Sequence, residues 1–220
     1  MFRTGNSRWL GIAMIAAICL LTASAGWAQS QPADTFQVNY FSNAANTAGI
    51  DQTVRIINTG ADAPNFPPSN LCAMLYVFDA KQELKECCGC LISTDGLAEL
   101  SLTKNLVSNP FDGVSPTNGD IKIVSAAPND SFGGVSCDPT GGGIGSNGKY
   151  VLNIAPTVDL RAWGTHVQND NNLTEDEYQT ATLSTSELDS LQEECYGIVA
   201  VGSGAGISGE GVGNSSTVCN

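Results

Sequence analysis

The sequence predicts an all-β protein: an antiparallel β-sandwich, immunoglobulin-like in type, with one short C-terminal helix and Gly-rich loops. Three observations predict it. Six or seven short segments rich in β-branched and aromatic residues recur along the chain. Gly, Pro and Asn turn signals separate them. One segment, residues 71–78 (LCAMLYVF), is apolar on both faces, as a central strand covered from above and below must be.

The elements follow in order. Residues 35–41 (TFQVNYF) alternate and suit a strand, and residues 51–58 place Val54 and Ile56 on one face and Arg55 on the other before stopping at Asn58-Thr59-Gly60. The central segment then turns through Asp79-Ala80-Lys81-Gln82 into a returning strand over residues 83–92. Residues 97–102 (LAELSL) alternate less cleanly and fit a strand or a short helix. Strands are expected at 120–125, 150–154 and 160–167, and long surface loops at the Gly-rich segments 133–148 and 202–213. Ser184-Thr185-Ser186-Glu187 is a capping box, and Leu188, Leu191 and Cys195 follow on one helical face that ends at Gly197.

The N-terminus has the form of an export signal. Arg3 and Arg8 precede the apolar run 10–21 (LGIAMIAAICLL), and small residues follow to Ala28. Twelve apolar residues fall short of the roughly 20 that span a bilayer. Residues 1–28 are therefore expected to be a cleaved signal peptide. A single domain over 29–220 remains, of which 202–220 is a Gly-rich tail. That product carries seven basic against 22 acidic residues, a net charge of −15. Such a surface disfavours nucleic acid and anionic lipid as partners. No later segment could cross a membrane.

Export also frames the cysteines, which are Cys72, Cys87, Cys88, Cys90, Cys137, Cys195 and Cys219 after residue 28. Exported cysteines are usually oxidised, and seven is odd, so at most three bridges form and one thiol is left over. The cluster Cys87-Cys88-Gly89-Cys90 lacks the second close pair of a zinc knuckle. It also lacks the helix opening that activates a redox Cys-x-x-Cys. As hairpin residues, Cys87 and Cys88 should point to opposite faces of the sheet. With an odd loop Phe78 faces Leu84 and Cys72 faces Cys90, close enough to bridge; with an even loop Cys72 faces Gly89. A Cys195–Cys219 bridge would close the Gly-rich tail.

Few residues suggest chemistry. Gly204-Ala205-Gly206-Ile207-Ser208-Gly209 matches a dinucleotide fingerprint, but no helix or βαβ unit can follow it in the remaining eleven residues. His166 is the only histidine, which excludes a blue-copper site and reads as a structural or surface residue. Residues 169–177 (NDNNLTEDE) cluster hard oxygen donors, with Asp170, Asn172, Glu175 and Asp176 as calcium candidates. The same stretch contains a second capping box, Thr174-Glu175-Asp176-Glu177, which would start a short helix. No other cofactor is expected.

Residues 70–80 (NLCAMLYVFDA) with Glu86-Cys87-Cys88-Gly89-Cys90, together with 53–60, 160–163 and 183–188, resemble a group of exported bacterial proteins of unknown function. The resemblance implies that the cysteine hairpin is part of a family architecture and implies no activity. The expectation is a non-catalytic protein of the periplasm, cell surface or medium, with an envelope, surface or self-assembly partner. Two alternatives are a secreted carbohydrate hydrolase using a carboxylate pair and a metal-handling protein using the cysteine cluster.

Overall fold

The computed structural model describes residues 34–42, 49–60, 70–128, 137–141, 154–168, 172–200 and 219. Two antiparallel sheets face each other. The first has the order β4-β3-β6-β1-β9, built from β1 (Phe36–Ser42), β3 (Leu71–Asp79), β4 (Leu84–Ile92), β6 (Asn118–Ala126) and β9 (Gln179–Thr180). The second has the order β5-β2-β7-β8, built from β2 (Thr53–Asn58), β5 (Leu97–Ser101), β7 (Leu160–Val167) and β8 (Leu173–Glu177). The chain thus forms, among the described residues, a β-sandwich with one C-terminal helix. Among the described residues no helix is long and apolar enough to cross a membrane.

The two-sided burial of β3 has the cause its sequence implies. Ala73, Leu75 and Val77 point between the sheets, where they meet Ile56, Leu100, Ile121, Ile123 and Leu160. Cys72, Met74, Tyr76 and Phe78 point the other way into a second core with Leu191, Cys195 and Ile198. These last three lie on α1 (Thr185–Ala200), which lays its apolar face on the outside of the first sheet. The molecule therefore has three layers: sheet, sheet and helix.

The helix begins as its capping residues dictate. Ser184 Oγ accepts the Glu187 N–H at 3.1 Å. Glu187 does not complete the box; its carboxylate reaches Lys122 Nζ at 2.7 Å instead. Lys122 also stands over the Phe78 ring, 4.6 Å from its centre, so the first turn of α1 is tied to the sheet. The helix runs past Gly197 to Ala200, because Ile198 still has the sheet to pack against. Of the two alternatives for residues 97–102 the strand forms, as β5, and a single wide π-helical turn, Leu102–Leu106, follows it. Most of the expected strand at 150–154 and of the Gly-rich segments lies outside the described residues.

One expectation is corrected here. Thr174-Glu175-Asp176-Glu177 does not start a helix but forms strand β8. Its acidic side chains find cations on other strands: Glu175 meets Arg55 at 2.7 Å and Glu177 meets Arg161 at 3.1 Å. These contacts and the ladder to β7 outweigh the local cap. The chain then passes from the second sheet into β9 of the first. Tyr178, buried between them, donates its backbone N–H to the Ala162 carbonyl.

Candidate functional site

Two places merit description: the cysteine hairpin, and a polar seam at the β1 edge of the sandwich.

In the hairpin, Phe78 does face Leu84, but the ladder slips by one residue between Val77 and Phe78. Val77 then faces Glu86, leaving Lys85 as the extra residue of a β-bulge. Lys85 is buried there, and its ammonium lies 2.9 Å from Asp112, 3.0 Å from Glu83 and 3.2 Å from Asp79. These carboxylates, Asp112 foremost, raise its pKa despite the burial. The slip places Cys72 opposite Leu91 and Ala73 opposite Cys90, so neither expected register holds and Cys72 cannot bridge Cys90.

The cysteines pair across layers instead. Cys72 bonds Cys137 with Cα atoms 5.3 Å apart, Cys87 bonds Cys195 at 5.9 Å, and Cys88 bonds Cys219 at 5.2 Å. Cys87 and Cys88 do reach partners on opposite faces, α1 outside and the C-terminal segment inside. The Cys195–Cys219 bridge does not form, because Cys195 points down from α1 onto the first sheet while Cys219 lies in the inter-sheet core. Gly89 has its own reason in the motif. A Cβ there would stand 2.0 Å from the Cys137 carbonyl oxygen, so only glycine lets that backbone cross β4. Six of the seven described cysteines are thereby oxidised, and one thiol does not make the soft ligand set of a zinc knuckle.

That thiol is Cys90, buried in the inter-sheet core. Burial pushes its pKa up to about 12, with the Cys219 N–H pulling weakly the other way. The thiolate is the reactive form, so Cys90 should resist iodoacetamide at pH 8 in the folded protein and be labelled only after denaturation. Rapid labelling of the native state would contradict this. The unfolded thiol ionises from its ordinary value of 9.0. The ionisation of Cys90 therefore lowers stability as pH rises from about 9 to 12 and contributes nothing below that window.

The seam lies where β1 becomes a free edge. Strand β9 pairs only with Gln37 and Val38, and among the described residues no strand continues beside Tyr40 and Ser42. Their edge N–H groups go to side chains: Tyr40 N–H to Asn39 Oδ1 at 2.8 Å, and Ser42 N–H to Gln52 Oε1 at 3.0 Å. An edge capped in this way offers a weaker template for another strand. Because Gln52 uses its oxygen on Ser42, its Nε2 faces His166 Nδ1 at 3.4 Å as the donor. His166 then carries its proton on Nε2, where Asp176 Oδ1 lies 2.5 Å away. That oxygen sits off the N–H direction, so the contact is electrostatic rather than a well-aligned hydrogen bond.

His166 is buried, and Tyr40 covers it with rings stacked at 4.1 Å and 15°. Gly164 makes room for the group, since a Cβ there would crowd the Tyr178 ring at 3.2 Å and the Asn39 amide at 3.3 Å. A general base needs a free lone pair within reach of a substrate proton. The lone pair of His166 is engaged by Gln52 and lies beneath Tyr40. This is a support for Tyr40, consistent with the structural role expected of a lone histidine.

On its outer side Tyr40 borders an open depression of about 320 Å³, lined also by Phe41, Ser42, Ala80, Gln82, Asn118, Gly119 and Asp120. Sequence reasoning missed this site; only the exposed aromatic in an otherwise alternating strand hinted at it. Of the calcium candidates, Asp170 lies outside the described residues and Asn172 is exposed on the turn before β8. Glu175 and Asp176 point to opposite faces of β8, Glu175 toward Arg55 and Asp176 toward His166. Among the described residues no three His, Cys, Asp or Glu side chains come together as a metal set.

These features define a class: a three-layer, disulfide-stapled β-sandwich whose outer face carries an aromatic-lined depression. No family model, no curated protein and no solved structure matches the chain.

Proposed function

We propose that this chain is an exported, non-catalytic protein of the cell envelope or medium, and that it acts by binding. The observation that carries the reading is the set of three disulfides, which tie β3 to the segment 137–141 and β4 to α1 and to Cys219. Such bonds persist in oxidising compartments. The net charge of −15 on residues 29–220 (seven basic against 22 acidic) supports solubility there and disfavours nucleic acid. The engagement of His166 by Gln52 and Asp176 supports a binding role over acid–base chemistry.

An immunoglobulin-like arrangement is part of the proposal. The adjacency of β2 with β5, and of β3 with both β4 and β6, matches strands B with E and C with C′ and F. β1 takes the place of strand G beside β6, and β7 that of strand A beside β2. The test is cell fractionation followed by intact mass. The expected species is outside the cytoplasm, begins at Gln29 and holds three disulfides and one thiol. An unprocessed, fully reduced cytoplasmic protein would overturn the reading.

A further inference from the structure

We propose that the depression beside Tyr40 is a binding site for a neutral carbohydrate. The inference rests on the reading of the chain as a binding protein and names the ligand class of that site.

The position follows from the strand register. Tyr40 faces Asp120, which faces Phe78, and Ser42 faces Asn118, so these residues form two adjacent cross-strand rows. The next row, Val38 and Lys122, is where α1 docks, through the Lys122–Glu187 pair and the packing of Val38. The rows of Tyr40 and Ser42 lie beyond that contact, and among the described residues no element covers their β1 side, where Tyr40 and Asn118 are exposed. The turn between β3 and β4 closes the far side with Ala80 and Gln82. Gly119 lets β6 pass close to β3 here, because a Cβ there would stand 1.8 Å from the Phe78 carbonyl oxygen.

The chemistry follows from what lines it. Tyr40 is 54% exposed although one ring face is stacked on His166, so the other face is available. A pyranose presents a patch of C–H bonds with partial positive charge, which an aromatic face attracts. Around the ring stand a hydroxyl (Ser42), two amides (Gln82 and Asn118) and a carboxylate (Asp120), donors and acceptors matched to adjacent sugar hydroxyls. Gln82 Nε2 donates to Asp120 Oδ1 at 2.7 Å, which holds both side chains in place. The buried seam holds Tyr40 likewise, so little side-chain entropy is lost on binding. The acidic surface disfavours a charged, anionic sugar. A cationic ligand would want a second exposed aromatic wall, which Phe41, buried in the inter-sheet core, does not supply, and a carboxylate not already engaged.

The experiment measures retention of the full mature chain on insoluble cellulose, chitin, xylan and mannan, with choline as a competing cation probe. Retention by at least one polysaccharide is expected. Tyr40→Ala should weaken it about tenfold, the loss of one stacking contact, while Tyr40→Phe should bind like wild type. Because Tyr40 is half exposed, the melting temperature of Tyr40→Ala checks that the fold is intact, and Gln82→Ala offers a second variant on an exposed turn. Retention by none of the four polysaccharides overturns the inference, as does retention that Tyr40→Ala and Gln82→Ala leave unchanged, or displacement by choline. None of these results touches the fractionation and mass test, so the exported-protein reading stands or falls separately.

Discussion

Removing the Cys87–Cys195 bond should cost about 3.5 kcal/mol while Cys88–Cys219 is present, and about 4.5 kcal/mol once that bond is gone. The difference arises because Cys87 and Cys88 are neighbours. With Cys88 joined to Cys219, the chain between residues 195 and 219 already returns to the doorstep of Cys87. The loop that the Cys87–Cys195 bond closes is then roughly 26 residues rather than the separation in sequence, and closure entropy grows with the logarithm of loop size. Without Cys88–Cys219 the shortest return path runs through Cys72–Cys137 and is roughly 75 residues, hence the larger effect. The two bonds should therefore show a coupling of about 1 kcal/mol in a double-mutant cycle read by denaturant unfolding. All variants need Cys90→Ala as background, because Cys90 lies on the same face of β4 as Cys88 and beside Cys219. Strictly additive losses would contradict the loop arithmetic. Hydrogen exchange should localise the loosening from the first bond to α1, which would still be anchored by Leu188, Leu191, Ile198, Val199 and the Lys122–Glu187 pair.

Gly89→Ala should prevent the Cys72–Cys137 bond from closing. The new methyl group would stand 2.0 Å from the Cys137 oxygen, 2.8 Å from its carbonyl carbon and 3.0 Å from its Cβ. The atoms in the way are mainly backbone and cannot swing aside. The segment is also held from below by Tyr76, whose hydroxyl donates to the Pro139 carbonyl at 2.9 Å. Relief requires lifting residues 137–141 off β4, which separates Cys137 from Cys72. The expected readout is a rise from one to three free thiols in the denatured mature protein, with a stability loss of about 4.5 kcal/mol, the loop-closure value for a bridge between cysteines 65 residues apart. Gly197→Ala is the matched control. It has nothing within 4 Å of its new methyl and sits inside α1, so it should raise stability slightly. A Gly89→Ala protein with one free thiol and an unchanged melting point would refute the close crossing.

Features that depend on local pattern were legible beforehand. The two-sided apolar run of β3, the cap at Ser184 and the opposite directions of Cys87 and Cys88 each follow from a period of 2 or 3.6 along a few residues. What eluded the sequence were outcomes set by distant partners. Lys85 bulges out of the hairpin because Asp112, far along the chain, helps to hold its ammonium. That one inserted residue moved Cys72 from opposite Cys90 to opposite Leu91 and so reassigned its disulfide partner. Residues 174–177 read as a helix start, yet Arg55, Arg161 and His166 draw their side chains into a strand. The Tyr40 depression was invisible because its rim comes from three separate segments brought together by register.

By itself the sequence determined the class of this protein: β-rich, sandwich-forming, stapled by cysteines that point both ways, with one capped helix near the end. Those properties are periodic or compositional, and a short window of chain contains all the physics they need. The tertiary structure decided which cysteines meet, where the register slips and where a ligand could sit. Each of those depends on the packing of segments tens of residues apart, and no local pattern encodes that distance.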